Sequence, residues 1–178
     1  MPATARLSPN PAPLTAKAVA LRLAQRAVYP GLTGECFYSL AQHCCVVAAE
    51  MLKVCGFNQG PRAALYALLH HAEDALDGEL SGYTRYQQRA EMLANFGLHD
   101  FNPLPGDDHM AMFAAMHERA ELSERSQFDI GPADHIARAH AKGIRSLQSV
   151  IRPLNWDRAA DKFVSDLNAY AIAARNAR

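Results

Sequence analysis

Net charge is absent from this chain: 18 basic residues offset 18 acidic ones across 178 positions. A general nucleic-acid binder carries a basic excess to neutralise phosphates, so that class is excluded, while a local anion pocket is not. Long apolar runs are missing too. No stretch approaches the roughly 18 residues that a membrane span needs. The first thirteen residues hold four prolines and lack the basic-then-apolar pattern of a secretory signal. Cysteine is scarce: there are four, two of them adjacent (Cys44 and Cys45), and they form no spaced disulfide framework. Thiols in a reducing cytoplasm are the simplest account, so the expected location is cytoplasmic. Period-two alternation, the mark of a half-buried strand, is rare.

What the chain does have is helical character. Apolar residues make up 49% and charged residues 20%, the proportions of an ordinary globular domain. Residues 1–13 read as an extended Pro-rich arm and residues 14–178 as a single all-α domain of about seven helices. Punctuation places them at Leu14–Val28, Phe37–Val54 (stopped by Gly56), Pro61–Asp77 (stopped by Gly78), Arg85–Asn95, Asp107–Gln127, Ala133–Ile151, and Asp157 to the end. Cys44 and Cys45 read as packing residues.

Eight histidines are the distinctive feature of the composition. His43 interrupts the apolar segment F-Y-S-L-A-Q-H-C-C-V-V-A-A-E-M-L. His70 and His71 lie in A-L-Y-A-L-L-H-H-A-E-D-A-L-D-G-E-L, where an apolar helix turns abruptly acidic. On a continuous helix His70, Asp74 and Asp77 share one stripe, with His71 rotated by about 100° from it. Imidazole suits zinc, iron, nickel or copper, and a carboxylate beside it can act as a general base. A single helical histidine is ordinarily a satisfied core or surface residue, so the argument rests on the group.

The order F-Y-S-L-A-Q-H, then A-L-L-H-H-A-E-D-A-L-D-G-E-L, resembles the HD superfamily of metal-dependent phosphohydrolases. It is most similar to the small bacterial and phage branch associated with nucleotide substrates. Further matches follow in order: N-F-G-L at 95–98, M-H-E-R-A-E-L-S-E at 116–124 and I-R-P-L-N-W-D-R-A-A-D-K-F at 151–163. The likeness spans about Ala18 to Tyr170. It implies an HD-like helical bundle in which His43, His70, His71 and His117 stand at the four metal-ligand positions. His71 and His117 occupy places where the family has aspartate. His140 or Asp134 are the alternatives to His117 as last ligand, and Ser123-Glu124, standing where Thr-Glu belongs, favours His117.

The resemblance further implies that Asp74 acts near the attacking water and that Glu79 replaces the aspartate following glycine. Arg85 replaces a phosphate-binding lysine, with Arg22 or Arg26 as the second basic group. Guanidinium geometry suits bidentate contact with phosphate. Four neutral imidazoles would leave a divalent ion its full charge, favouring one softer cation (zinc, iron, cobalt or nickel) and an anionic substrate. The expected function is hydrolysis of a nucleotide phosphate, more specifically a deoxynucleotide. The alternative is a catalytically inactive HD-like protein that binds a nucleotide or a partner protein. Small helical domains of this type often pair, so a homo-oligomer is an open expectation.

Overall fold

The structure is a computed structural model that describes residues 15–30, 37–75, 107–130 and 133–177. The described residues form an all-helical bundle: five α-helices and one short 3-10 helix, with no strand among them. The Pro-rich arm and the helix expected at Arg85–Asn95 lie outside the described residues, as does the Asp77–Gly78 stop.

Helix α1 spans Ala16–Ala24 and opens on Thr15, whose hydroxyl accepts from the Ala18 N–H. It is shorter than the sequence pattern predicts. After it the chain pairs with the entry to the next helix: Val28 N–H donates to the Tyr38 carbonyl at 2.9 Å and Leu40 N–H to the Arg26 carbonyl at 2.9 Å. This one isolated antiparallel bridge, Ala27 to Ser39, sets Tyr29 and Tyr38 on the same side of the bundle wall.

Helix α2 spans Leu40–Leu68, where the sequence pattern predicts two helices. Both expectations have a basis, because α2 has two arms joined at Gly56 (φ 68°, ψ −173°). That backbone conformation is open to glycine and costly for other residues. A Cβ added at Gly60 would lie 2.8 Å from the Leu52 carbonyl oxygen, so glycine lets the second arm close on the first. Pro61 falls early in the second arm, where its missing N–H costs little.

The second arm stops at Leu68, earlier than the expected Asp77. Leu69 leaves helical geometry (φ −97°, ψ 4°), His70 and His71 form a turn, and the 3-10 helix η1 follows at Ala72–Ala75. The single helical stripe of His70, Asp74 and Asp77 is therefore corrected: a break falls between Leu68 and Asp74.

Helix α3 spans Asp107–Gln127, with the bounds its flanking residues predict. Helix α4, expected to reach Ile151, ends at Ala141. Gly143 takes φ +77° and the Ile144 N–H reaches back to the Ala139 carbonyl at 3.0 Å, closing the helix in a left-handed cap. The residues after it run irregularly and are pinned by side chains. Leu147 N–H donates to Ser123 Oγ at 2.6 Å and Ile151 N–H to Gln127 Oε1 at 2.7 Å. Gln42 spans the last step, accepting from Leu154 N–H at 2.8 Å and donating to the Arg152 carbonyl at 2.7 Å. Helix α5, Trp156–Asn176, then packs its buried face (Ala159, Phe163, Leu167, Ala171) against α1 and α2.

Two apolar groups result. The larger joins Val19 and Leu23 of α1, Met51, Leu65 and Leu68 of α2 and Phe163 and Leu167 of α5. Cys44 and Cys45 are buried within it, in keeping with a packing role. The smaller surrounds Tyr29, Tyr38, Ile130 and Ile151. Among the described residues no helix is long and apolar enough to cross a membrane.

Candidate metal centre

Four histidines from three places in the fold converge between α2 and α3. His43 comes from the first arm of α2, His70 and His71 from the turn after its second arm, and His117 from α3. One ring nitrogen of each lies within 4.8 Å of the others. The break at Leu69 is what allows this. It frees both adjacent residues from the 100° rotation of a helix, and the ring centroids of His70 and His71 lie 5.4 and 5.7 Å from that of His43.

The hydrogen bonds fix the tautomers of three of these rings. A carboxylate or carbonyl oxygen only accepts, so the nitrogen facing it carries the proton when the acceptor is ionised or a carbonyl. His43 Nδ1–H donates to Glu124 Oε1 at 2.8 Å, and His71 Nδ1–H to Asp74 Oδ2 at 2.7 Å. His70 Nδ1–H donates to the Ala67 carbonyl. In a neutral ring each Nε2 then carries an acceptor lone pair. His70 Nε2 is buried with no hydrogen-bond partner. A buried polar atom without a partner is costly and rare, which points to a ligand there.

His43 Nε2 and His117 Nε2 stand 3.2 Å apart. Two imidazole nitrogens on one tetrahedral zinc ion would stand about 3.3 Å apart for Zn–N bonds near 2.0–2.1 Å. The donor set therefore fits a cation that accepts imidazole, and four histidines can hold one ion here. Burial, with His43 and His71 close by, lowers the His70 pKa to about 2, so this ring stays neutral and able to ligate at physiological pH. Burial and the His43 ring lower that of His117 as well.

The walls of the centre differ. Phe113 closes one side, its ring 5.3 Å from His70 and 5.7 Å from His117. Behind His43 lies a fully buried acid, Glu124, which accepts from Tyr38 Oη at 2.7 Å and Tyr29 Oη at 2.9 Å. Burial and that carboxylate push both tyrosine hydroxyls well above their usual range. The opposite edge is open, with the side chains of His71 and Asp74 31% and 44% exposed.

The sequence-predicted residues are thus partly assembled. His43, His70, His71 and His117 are together, and Asp74 borders them through His71. Asp134 and His140 are exposed on α4 and do not belong to the cluster. Arg22 reaches the neighbourhood by donating from Nη1 to the Ala75 carbonyl at 2.9 Å, which ties α1 to the end of η1. Arg26 is exposed beyond the end of α1. Glu79 and Arg85 lie outside the described residues. The resemblance gives Ser123-Glu124 only as an alignment marker, and nothing in the sequence pattern ties Tyr29 and Tyr38 to the cluster. All three of Glu124, Tyr29 and Tyr38 support the centre. The available signal was the i, i+7 spacing of His117 and Glu124, which puts them on one stripe of α3.

Comparison with known protein families and with curated proteins found no match for the chain.

Proposed function

We propose that the protein is a metal-dependent phosphohydrolase that cleaves a phosphate ester or anhydride of a nucleotide, more specifically a deoxynucleotide. The observation that carries this reading is the convergence of four histidine nitrogens within 4.8 Å, with a carboxylate at the cluster's solvent-open edge. Four protein ligands would close a tetrahedral ion, but they would leave two positions of an octahedral one for water and substrate. The resemblance to the HD superfamily supplies the substrate class.

A divalent transition metal bound there supplies Lewis acidity toward a phosphate oxygen and makes water acidic enough to attack near neutral pH. The chain's own groups do the rest. His43, His70, His71 and His117 hold the ion. Asp74 engages His71 through Oδ2, which leaves Oδ1 to take a proton from the attacking water. Arg85, with Arg22 or Arg26, neutralises the substrate phosphate. Neutral imidazoles leave the ion's charge facing the open edge, where an anionic substrate is favoured over a neutral one.

Metal content of the purified protein is the first test. The reading expects about one equivalent of zinc, iron, cobalt or nickel per chain, lost in His70→Ala. It also expects phosphate release from deoxynucleoside mono- or triphosphates that disappears with the metal. A protein that holds no metal and gains no stability from added ions ends the hydrolase reading.

Replacement of two ligand aspartates by histidine favours the competing reading, an inactive HD-like protein that binds a nucleotide or a partner protein. The double variant His71→Asp, His117→Asp separates the two. A gain of activity marks a decayed enzyme, and loss of an existing activity marks a four-histidine site adapted to its chemistry.

A further inference from the structure

We propose that Glu124 is the positioning carboxylate of the metal centre: clamped by Tyr29 and Tyr38, it aims His43 Nε2 at a divalent cation and meets that cation's charge from behind the imidazole. This rests on the metal-binding part of the reading above and says nothing of which bond is cleaved.

The geometry is specific. Three donors converge on two oxygens: Tyr38 Oη at 2.7 Å and His43 Nδ1 at 2.8 Å on Oε1, and Tyr29 Oη at 2.9 Å on Oε2. His43 Nδ1 also lies 3.1 Å from Oε2, so the imidazole sits across both oxygens. Three groups that can each donate, converging on both oxygens, complement an ionised carboxylate. Neither Glu124 nor His43 has meaningful solvent contact, at 0% and 1% exposure. A charge so enclosed is costly, and an apolar side chain of similar volume would often serve stability as well or better. The enclosure has a use if the charge is needed at that spot. On its far side, the imidazole that Glu124 grips faces His117 Nε2 at 3.2 Å, inside the cluster of ligand nitrogens.

The backbone shows how the arrangement is built. His117 and Glu124 lie seven residues apart on α3, two turns along one stripe. One helix face therefore delivers a ligand and, two turns on, the acid that orients a ligand of α2. The Ala27–Ser39 bridge brings both tyrosines to that acid. Asp74 repeats the relation behind His71, in solvent. Where the HD pattern places aspartates on the metal, this chain places carboxylates one imidazole away. The negative charge sits behind the ligands, and the open edge remains cationic toward substrate.

The test is cobalt(II) binding to the metal-stripped full-length protein, followed by its visible absorption, with thermal unfolding of the same metal-free samples as the control. Glu124→Gln keeps the shape and an oxygen that accepts from His43 but removes the charge. The expected result is a weakening of cobalt affinity by about 10–100-fold with an altered absorption band, and a smaller weakening in Asp74→Asn. A merely structural glutamate would leave both the affinity and the band of Glu124→Gln as in the parent protein, and that result overturns the proposal. Should Glu124→Gln not fold, Tyr38→Phe, which removes one clamp, is read instead. Weakened binding supports the proposal and unchanged binding overturns it. Failure to bind cobalt by the parent protein overturns both this proposal and the hydrolase reading. Tight, Glu124-dependent binding without phosphate release overturns the hydrolase reading alone.

Discussion

His43 and Glu124 meet in the interior, 1% and 0% exposed, whereas His71 and Asp74 meet at the surface, 31% and 44% exposed. The two pairs have the same chemistry, a ring N–H on a carboxylate at 2.8 and 2.7 Å. They differ in what surrounds them. The buried pair is fixed by two tyrosines and a second apolar cluster; the exposed pair is held by one turn of 3-10 helix and by Arg22 on the Ala75 carbonyl. Because the same bond is worth far more out of water than in it, the buried pair provides rigidity and the exposed pair provides access. The metal-dependent hydrolase proposed above would need one wall of each kind.

The largest expected effect follows from removing the buried acid altogether. Glu124→Ala orphans two tyrosine hydroxyls and the His43 N–H, so the metal-free protein should lose about 3–5 kcal/mol in urea unfolding. Equal losses from Glu124→Ala and Asp74→Ala would break the comparison.

Metal comes next. Zinc or cobalt at about one hundred times its dissociation constant should stabilise the protein by about 2.7 kcal/mol, seen as a rise in melting temperature. His70→Ala should abolish the rise, since the lone pair it removes is the one buried without a partner.

Alkaline pH probes the two tyrosines of the buried side, together with the buried thiols of Cys44 and Cys45 and the Tyr170 hydroxyl, which burial also pushes up. Tyr29 and Tyr38 are held protonated in the folded protein by burial and by Glu124, so their folded pKa values lie above the unfolded value near 10. Their contribution is complete below pH 10 and is lost as the pH rises past it, because only the unfolded chain releases these protons there. Each tyrosine adds a slope of about 1.4 kcal/mol per pH unit. Tyr38→Phe should make the alkaline fall in stability shallower by up to about 1.4 kcal/mol per pH unit, measured by urea unfolding between pH 9 and 11.

The smallest effect belongs to the exposed pair. Asp74→Asn should change metal-free stability by no more than about 1 kcal/mol, while still reducing phosphate release if Asp74 takes the water's proton. A large loss of stability would show that the η1 turn is as rigid as the buried wall.

Much of this is legible in the sequence. Asp107-Asp108 and the Asp129 to Pro132 break bound α3 correctly, since both are local signals of helix ends. The four histidines stood out because imidazoles in apolar helical segments call for partners. The turn at His70-His71 was hidden: A-L-Y-A-L-L-H-H-A-E-D-A-L carries no glycine or proline, and the helix ends there only in its tertiary setting. The early end of α4 was hidden for a related reason. Residues 144–155 are held by Ser123, Gln127 and Gln42, residues 24 to 112 positions away in sequence, which no local pattern reports.

By itself, the sequence determined the helical class, most helix positions and the identity of the histidines, because those follow from local periodicity and residue chemistry. Tertiary structure decided which nitrogens carry protons, which acid is buried and which is wet, and which side of the centre is open. Those properties depend on distances between groups far apart in the chain, and on the water that packing excludes from between them.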